Sequence, residues 1–333
     1  MSNIMEEIYA KAKKDVQIVA FPEVEEEKIW QAAKQCLDEG ICKPMMVGKM
    51  EDIEKYSKEY GISLDGFLIK DAGDEALLED LGERYSKINP EMSAKAVKRK
   101  AKDPMYVALF LQAVGEADVM FAGLSHSTGD VLWAGQMVIG LKEGVSTVSS
   151  VGISEIPGYE GSEGNMLIIG DSAVCVNPDS EDLASIAVSA CDTAKDLLGW
   201  EPRCAMLSYS TCGSAESDLV DKVRNAIEIA HKMRPEYKID GEFQLDAAIV
   251  PKIAQKKVNR ESDVAGKANI LIWPDLNVGN IGVKLLQLFG KADAYGPILQ
   301  GFKKIVCDCS RSAPVSELVG NIAISAVRAQ VNK

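Results

Sequence analysis

Short apolar runs of strand length alternate with longer amphipathic stretches along almost the whole chain. The runs with the length and residue content of strands are Gln17–Phe21, Pro44–Val47, Phe67–Lys70, Asp118–Ala122, Cys204–Ser208, Asp246–Val250 and Ile270–Trp273. The stretches with helical spacing of apolar residues are Lys28–Glu39, Tyr106–Gly115, Glu181–Leu198, Ser217–Met233 and Gly282–Gly290. Strands that alternate with helices are typical of parallel sheets covered on both faces, so the pattern predicts an α/β fold.

The length of the chain predicts two domains, because 333 residues exceed the usual size of one hydrophobic core. The segment 149–164 is rich in Gly, Ser and Glu, and we expect it to be an irregular excursion or a domain boundary. A final helix is predicted over Val315–Gln330, and this helix could return to the first domain and close the structure.

The net charge of −13 weighs against nucleic acid and anionic membranes as partners. A small anionic substrate remains compatible with this charge if arginine, lysine and backbone amides meet it locally. No apolar run has the roughly 20 residues that span a bilayer. The first residues, MSNIMEEIYAKAKKDVQ, contain no apolar signal core and predict an exposed amphipathic helix, so we expect a cytoplasmic protein.

The eight cysteines are scattered through apolar segments and include no CxxC pair, which argues against a zinc ribbon or a thioredoxin-like site. We expect buried thiols that act as small hydrophobic side chains. The chain has two histidines, His126 and His231, so a three-histidine metal site is excluded.

Ligands of open α/β sheets bind beyond the carboxyl ends of the strands, which directs attention to four loops. The first is GLSHSTGD, Gly123–Asp130, between a predicted strand and a helix. Ser127, Thr128 and the amide of Gly129 are expected at the helix N-terminus, where free N–H groups and the helix dipole favour a phosphate. Ordinary N-capping by Ser or Thr is the simpler explanation of the same residues. His126 is either an acid–base group or only a hydrogen-bonding side chain.

The second loop is SYSTCGSAES, Ser208–Ser217, again between a strand and a helix. Ser210, Thr211, Gly213 and Ser214 form a small polar turn that could bind a substrate or could simply begin a helix. The loop lacks the GxxxxGK[ST] pattern, so it is not a P-loop.

The third loop is WPDLNVGNIG, Trp273–Gly282, in which the glycines allow a close approach of the backbone. Its aspartate, Asp275, could bind a ligand or cap the following helix. Three upstream carboxylates could hold a divalent metal, although solvated or capping acids are commoner; they are Asp240, Glu242 and Asp246.

The fourth loop is CDCSRSAPVSELV, Cys307–Val319, in which Ser310 and Arg311 precede a helix predicted to start near Pro314. Glu317 is expected in the first turn of that helix. A serine, an arginine and a carboxylate together can position an anion and accept a proton. A capping serine with a first-turn glutamate is the equally weighted structural explanation.

Five segments, in collinear order over nearly the whole chain, resemble the phosphotransacetylase (phosphate acetyltransferase) family. They are EADVMFAGLSHSTGDV, EPRCAMLSYSTCGSA, DGEFQLDAAIVP, VAGKANILIWPDLNVGNIG and the terminal YGPILQGF…DCSRS…NIAISAVRAQ. The resemblance implies two three-layer α/β/α domains with an active-site cleft between them, as in isocitrate and isopropylmalate dehydrogenases. It places 1–147 with 298–333 in one domain and 148–297 in the other, and it implies a homodimer.

The reaction implied by the resemblance is acyl-CoA plus phosphate giving acyl phosphate plus CoA, through a ternary complex and without a metal or an organic cofactor. Ser310 and Arg311 match the serine–arginine pair of the family, and Glu317 stands where the family has its catalytic aspartate. Segments that line the family's cleft match the substrate-binding candidates Lys87, Ser127, Thr128, Trp133, Ser210, Thr211, Gly213 and Asn280.

Several of these positions depart from the family pattern. The family motif HSTADxxRP has an arginine where this chain has Trp133, and an arginine expected around position 87 is Lys87. Lysine keeps the charge but loses the bidentate fork of arginine. The family's SRG is SRS here, and an arginine usual after GNIG is replaced at Leu288.

The departures leave three hypotheses open. The leading one is a working phosphate acyltransferase, for acetyl or for a propionyl, butyryl or functionalised acyl group. The second is a catalytically weak regulatory protein that still binds CoA. A metal-dependent hydroxyacid dehydrogenase is the third and is disfavoured, because the dinucleotide fingerprint is missing.

Overall fold

The computed structural model of the protein describes residues 3–331, which divide into two units. The first unit contains the chain up to Gly140 and from Phe302 onward, and the second contains Leu141–Gly301. Among the described residues no helix combines the length and the apolar content that a membrane span requires.

The strands are β1 (Gln17–Phe21), β2 (Cys42–Gly48), β3 (Leu68–Asp71), β4 (Val119–Ala122), β5 (Ser149–Glu155), β6 (Met166–Gly170), β7 (Arg203–Leu207), β8 (Lys238–Phe243), β9 (Ile270–Ile272), β10 (Asp293–Gln300) and β11 (Ile305–Asp308). The helices are α1 (Asn3–Ala12), α2 (Glu27–Asp38), α3 (Met50–Glu59), α4 (Glu75–Ile88), α5 (Ala94–Lys100), α6 (Pro104–Ala113), α7 (Thr128–Val138), α8 (Ser180–Thr193), α9 (Asp218–Met233), α10 (Leu245–Ile249), α11 (Pro251–Lys257), α12 (Leu276–Leu288) and α13 (Val315–Val331). A π-helical turn, Ala194–Leu198, continues α8.

The first unit is built on a parallel sheet with the strand order β11-β4-β1-β2-β3. Helices α2 and α13 pack together on one face, and α6 and α7 pack on the other. Strand β4 is buried throughout, as expected for a parallel strand that is covered on both faces. The neighbouring parallel strands β11, β4 and β1 therefore have their carboxyl ends on the same side of the sheet, where the loops that follow them meet.

The second unit has a mixed sheet with the strand order β10-β5-β6-β9-β7-β8. Strands β6, β9, β7 and β8 are parallel, whereas β10 and β5 are antiparallel additions at one edge. Helices α8 and α9 cover one face, and α10 and α12 contact strands from the other. The predicted α/β class with two three-layer α/β/α domains is confirmed. The prediction that the sheets are parallel is wrong for this one, because β5 and β10 pair in antiparallel fashion.

Two predictions about local structure are wrong. The predicted strand Asp246–Val250 is the helix α10, and the strand that pairs with β7 is β8, just before it. A five-residue apolar run is too short to distinguish a strand from a buried helical turn, and the helix propensity of Ala247 and Ala248 favours the helix. The expected irregular excursion 149–164 begins with the regular strand β5. Only its Gly- and Glu-rich part after Glu155 is irregular.

The predicted N-terminal helix is present as α1, and the first two residues of the prediction lie outside the described residues. It is not simply exposed, because Ile4, Met5 and Ile8 are buried and the helix contacts α13. The cysteines are free thiols, and six of the eight are buried as expected for small hydrophobic side chains.

Candidate active site

The carboxyl ends of β1, β4 and β11 bring together three loops that the sequence separates widely. Glu23 follows β1, the GLSHSTGD loop follows β4, and the SRS segment follows β11. Because parallel neighbours end at the same edge of the sheet, residues from the N-terminal, central and C-terminal parts of the first unit meet there.

The Glu23 carboxylate organises the loop after β4. It is fully buried and accepts hydrogen bonds from the backbone amides of Gly123, Leu124, Ser125 and His126 at 2.9–3.1 Å. Burial raises the pKa of Glu23, but hydrogen bonds from His126 and from the loop amides outweigh burial, and the net effect lowers the pKa. These loop amides therefore bind a carboxylate of the protein itself, and the phosphate donors expected in this loop are restricted to the helix that follows.

His126 is held between two carboxylates. Its Nδ1 lies 2.9 Å from a Glu23 carboxylate oxygen, and its Nε2 lies 3.4 Å from an Asp103 carboxylate oxygen. The contacts with Asp103 and Glu23 raise the pKa of His126 to about 10, although burial opposes this. His126 is thus a charged hydrogen-bonding side chain at neutral pH, and of the two roles left open, the structure favours the hydrogen-bonding one.

The N-terminus of α7 carries Ser127 and Thr128. Ser127 is the N-cap, and its hydroxyl donates to an Asp130 carboxylate oxygen at 2.6 Å within a capping box. The Thr128 hydroxyl donates to the Asp308 carboxylate at 2.7 Å. Trp133, in the middle of α7, is 62% exposed and therefore does not pack in the core. Thr128 and Trp133 remain predicted substrate-binding residues. Ser127 also remains one, although its capping role alone explains its position.

Ser310 and Arg311 are exposed on the turn between β11 and α13. The Ser310 hydroxyl lies 2.9 Å from the Ser312 hydroxyl. Glu317 lies in the first turn of α13, as predicted, and this helix starts at Val315, one residue after Pro314. Burial raises the pKa of Glu317, whose carboxylate has no hydrogen bond or ion pair with another described residue. A half-buried carboxylate without a partner is suited to accept a proton.

Lys28 supports this turn from α2. Its ammonium group donates to the main-chain carbonyl oxygens of Arg311 and Ala313 at 3.2 and 3.1 Å. Two hydrogen bonds from one lysine tie the SRS segment to a rigid helix of the same unit.

Lys87 lies elsewhere in the first unit. It occupies the last turn of α4, and the next residues, Ile88 and Asn89, line a cavity of about 390 Å³ with Gln136–Gly140. These last residues are at the carboxyl end of α7, whose eleven residues give it a length of about 16 Å. The contact of Lys87 with substrate stays a prediction, because the structure places its neighbours at the end of α7 opposite to Thr128.

In the second unit, the turn after β7 is fixed by Glu242. The Ser210 hydroxyl donates to the Glu242 carboxylate at 2.7 Å, and the Gly213 amide donates to it at 3.0 Å. Arg224 adds a bidentate contact at 3.0 and 3.2 Å. Burial raises the pKa of Glu242, but these donors lower it to about 2. The buried Thr211 hydroxyl accepts from the Gln244 amide at 2.8 Å, so the polar side chains of this turn have internal partners.

The carboxylates considered as metal ligands are paired with cations instead. Asp240 binds Arg260 and Ser262, and Asp246 binds Lys257. Glu242 binds Arg224. Within residues 3–331 no group of three or more potential ligands converges as a metal site.

The WPDLNVGNIG segment forms the start of α12. Asp275 is the N-cap and accepts from the Val278 amide at 3.1 Å. Asn280 is exposed, donates to the Ser172 carbonyl and accepts from Lys284. A cavity of about 360 Å³ at the carboxyl ends of β7 and β9 is lined by Tyr209, Leu219, Leu245, Trp273 and Asp275, among others.

Sequence reasoning missed Glu23, Lys28 and Asp308 as members of this site. A signal existed for two of them, because each acid directly follows or ends an apolar strand at the ligand-binding edge. Lys28 gave no signal, since a lysine in the first turn of an amphipathic helix is ordinary.

Comparisons with known proteins identify the family of the chain. Residues 3–326 match the family model described as phosphate acetyl/butaryl transferase. The chain is 38% identical over 333 residues to a phosphate acetyltransferase of Acetivibrio thermocellus, covering 99% of each chain. It is 40% identical to one of Thermoanaerobacterium thermosaccharolyticum, covering 98% of this chain and 100% of the relative. A phosphotransacetylase structure from Streptococcus pyogenes superposes with a TM-score of 0.91 at 33% identity, with 99% of each chain covered. The chain therefore belongs to the phosphate acetyl/butaryl transferase family.

Proposed function

We propose that this protein transfers an acetyl group reversibly between coenzyme A and inorganic phosphate, giving acetyl phosphate and free CoA from acetyl-CoA. The observation that carries the proposal is the Ser310–Arg311 turn, followed by Glu317, at the carboxyl end of β11. These residues stand at the positions that the family uses for its serine, arginine and catalytic acid. Full-length similarity to several phosphate acetyltransferases supports the acetyl group as the first substrate to test.

The direction that forms acetyl-CoA proceeds in one displacement. Glu317 accepts the proton of the CoA thiol, and the thiolate attacks the carbonyl carbon of acetyl phosphate. The new carbon–sulfur bond replaces the carbon–oxygen bond to phosphate, which leaves with the bonding electrons. Ser310 and Arg311 stabilise the negative charge that develops on the carbonyl oxygen and the leaving phosphate. This scheme uses no metal or organic cofactor, and CoA is a substrate.

The phosphate group is proposed to bind at the N-terminus of α7, beside Thr128. This helix end provides backbone N–H groups and the positive end of a helix dipole. The pKa of Asp130, in the first turn of the same helix, is lowered mainly by hydrogen bonds from Ser127 and to a smaller extent by the charges of His126 and Arg311. An anion at this position would thus lie close to the proposed active-site arginine.

A second candidate function is a diverged paralogue that takes another acyl group or that binds CoA with little turnover. The observation that favours it is Trp133, which is 62% exposed on α7 at the position where the family has an arginine. An exposed indole enlarges the apolar surface and removes an anion contact.

The experiment that tests the function is CoA-dependent thioester formation with acetyl, propionyl and butyryl phosphates, followed by ultraviolet absorbance. Arg311→Ala is the active-site variant, and Arg99→Ala, an exposed arginine on α5, is the matched control. We expect acetyl phosphate to react fastest, with turnover lost in Arg311→Ala and kept in Arg99→Ala. Background rates with all three substrates, from protein that still binds CoA, would support the paralogue instead.

We also propose a homodimer in the cytoplasm. Helix α12 exposes four large apolar side chains, Val278, Ile281, Leu285 and Leu288, and the C-cap residue Phe289 beside them is 80% exposed. An apolar helical stripe of this kind is suited to self-association about a twofold axis. The free thiols support a reducing compartment.

A further inference from the structure

Asp308 is the last residue of β11 and is 4% exposed. Its Oδ2 accepts the hydrogen bond of the Thr128 hydroxyl at 2.7 Å. Its Oδ1 is buried and has no hydrogen-bond partner among the described residues. A buried ionised carboxylate normally collects several donors, as Glu23 does, so a carboxylate with one donor is poorly stabilised in its charged form.

The surroundings of Asp308 also disfavour its charge. The buried Glu23 carboxylate opposes the negative charge of Asp308, the cation Arg311 favours it, and the thiols of Cys307 and Cys309 also interact with it electrostatically. The charge of His126 is paired with the Glu23 and Asp103 carboxylates. Burial is the main cause that raises the pKa of Asp308; the Thr128 hydrogen bond and Arg311 oppose the rise, Glu23 adds to it, and the net effect brings the pKa to about 6. Asp308 therefore titrates much closer to neutral pH than an ordinary aspartate.

The direction of the Thr128 hydrogen bond depends on this titration. A threonine hydroxyl has one proton, and when Asp308 is ionised that proton is donated to Oδ2. Thr128 can then offer only lone pairs to a ligand. When Asp308 is protonated on Oδ2, which lies 2.7 Å from the Thr128 oxygen, the carboxyl group can donate a hydrogen bond to that oxygen. The hydrogen bond reverses, and the Thr128 proton becomes available to a ligand.

We propose that Asp308 is a positioning residue that sets, through Thr128, how strongly the N-terminus of α7 binds the phosphate group of the substrate. This inference rests on the proposed function for the identity of the anion. Protonated Asp308 donates to Thr128, and Thr128 donates to a phosphate oxygen. Ionised Asp308 instead accepts the hydrogen bond of the Thr128 hydroxyl, so that Thr128 presents only lone pairs to the anion. Binding of phosphate above the pKa of Asp308 therefore takes up one proton from solvent, which is held on Oδ2.

Ser127 does not have this property. Its hydroxyl donates to Asp130 within the capping box, and the pKa of Asp130 is lowered by Ser127, so this carboxylate stays ionised. The two neighbouring hydroxyls of the helix end thus differ, and only Thr128 is coupled to a carboxyl group that titrates near neutral pH.

The test measures the binding of inorganic phosphate to the whole protein by calorimetry between about pH 5.5 and about pH 8. The variants are Asp308→Asn, whose amide donates to Thr128 permanently, Thr128→Ser, which keeps the hydroxyl, and Thr128→Val, which removes it. Phosphate itself ionises in this range, and this affects the native protein and Asp308→Asn alike. Each binding curve is therefore compared with that of Asp308→Asn, so that the effect of Asp308 remains.

We expect the ratio of the dissociation constant of the native protein to that of Asp308→Asn to be near one at low pH and to rise to about 10–100 at pH 8. Repeating the titration in buffers of different ionisation enthalpy should show about one extra proton taken up by the native protein. Thr128→Ser should reproduce the native pH dependence, and Thr128→Val should lose it and bind weakly throughout. A purely structural role for Asp308 would shift all affinities without changing their pH dependence.

Parallel curves for the native protein and Asp308→Asn would overturn the inference, as would a native pH dependence in Thr128→Val or no phosphate binding at any pH. If Asp308→Asn does not fold, the comparison of Thr128→Ser with Thr128→Val decides alone. The acetyl transfer assay is run on the same native protein. Turnover with parallel binding curves removes only the role of Asp308, whereas pH-linked binding without turnover removes only the proposed function.

Discussion

The ammonium group of Lys28 on α2 donates hydrogen bonds to the carbonyl oxygen of Arg311, at 3.2 Å, and to that of Ala313. The two residues are 283 positions apart in the chain. Because Arg311 itself is exposed on a short turn, the orientation of its guanidinium group depends on how well this turn is held.

Removing the Lys28 ammonium group should make the turn less rigid without removing a direct contact with the substrates. We expect Lys28→Met to lower kcat about tenfold with little change in KM, because two hydrogen bonds are lost from the support of Arg311. Steady-state kinetics of thioester formation measures both constants. Lys28→Arg should restore most of the activity. Lys34→Met, on the same helix with its ammonium paired to Asp38, should behave as the native protein; equal effects in the two Met variants would contradict the role of Lys28.

Glu317 should determine the acid limb of the pH–rate profile. Burial raises its pKa above the ordinary value of 4.5, so the basic form is lost, and the rate falls, as the pH drops through this raised pKa. Glu317→Gln should lower kcat by about 10²- to 10⁴-fold and remove this limb. Glu317→Asp should keep a limb. Glu181→Gln, also in the first turn of a helix, is the control. A Glu317→Gln variant with an unchanged profile would exclude Glu317 as the base.

Glu242 should stabilise the second unit in a pH-dependent way. Its pKa of about 2 in the folded state lies below the ordinary value of 4.5, so its contribution is fully present above about pH 4.5 and is lost as the pH falls toward 2. Glu242→Gln should lower the free energy of unfolding at pH 7 by about 2–3 kcal/mol. Urea denaturation at several pH values measures this, and the difference from the native protein should shrink in acid. Glu236→Gln, at an exposed position, should change stability much less.

Trp133 offers a test of substrate choice. Trp133→Arg introduces the arginine that the family resemblance predicts at this position, on the exposed face of α7. We expect KM for acetyl phosphate to fall about ten- to a hundredfold, because an added charge-assisted contact with the phosphate is worth that much. Trp133→Leu removes the ring without adding charge and should not lower KM. If both variants behave alike, Trp133 does not face the phosphate.

The apolar stripe on α12 should hold the dimer together. We expect the double variant Leu285→Glu and Phe289→Glu to sediment as a monomer where the native protein sediments as a dimer, since charges replace apolar contacts at the interface. Lys284→Gln, on the same helix, should remain dimeric. A monomeric native protein, or a double variant of unchanged mass, would contradict the assignment of this face.

Local signals in the sequence were sufficient for the α/β class and for many elements. The predicted strand Gln17–Phe21 has the bounds of β1, and the predicted helix over Val315–Gln330 is α13 to within a residue. Such elements are readable because a buried parallel strand is a short apolar run and a covering helix has an apolar stripe. Asp246–Val250 failed because a short run rich in alanine carries no periodicity that distinguishes a strand from a helical turn.

The sequence by itself determined the fold class and the family, and it predicted the loops that carry the chemistry, including the Ser310–Arg311–Glu317 segment, since these depend on local pattern and motif order. The tertiary structure decided which groups each of them meets. The Thr128 hydroxyl donates to Asp308, which is 180 positions away in the chain. The Glu23 carboxylate accepts hydrogen bonds from loop amides that are 100 or more positions away. Hydrogen bonds and pKa values depend on distance and burial in space, and a linear pattern fixes neither until the strands have paired.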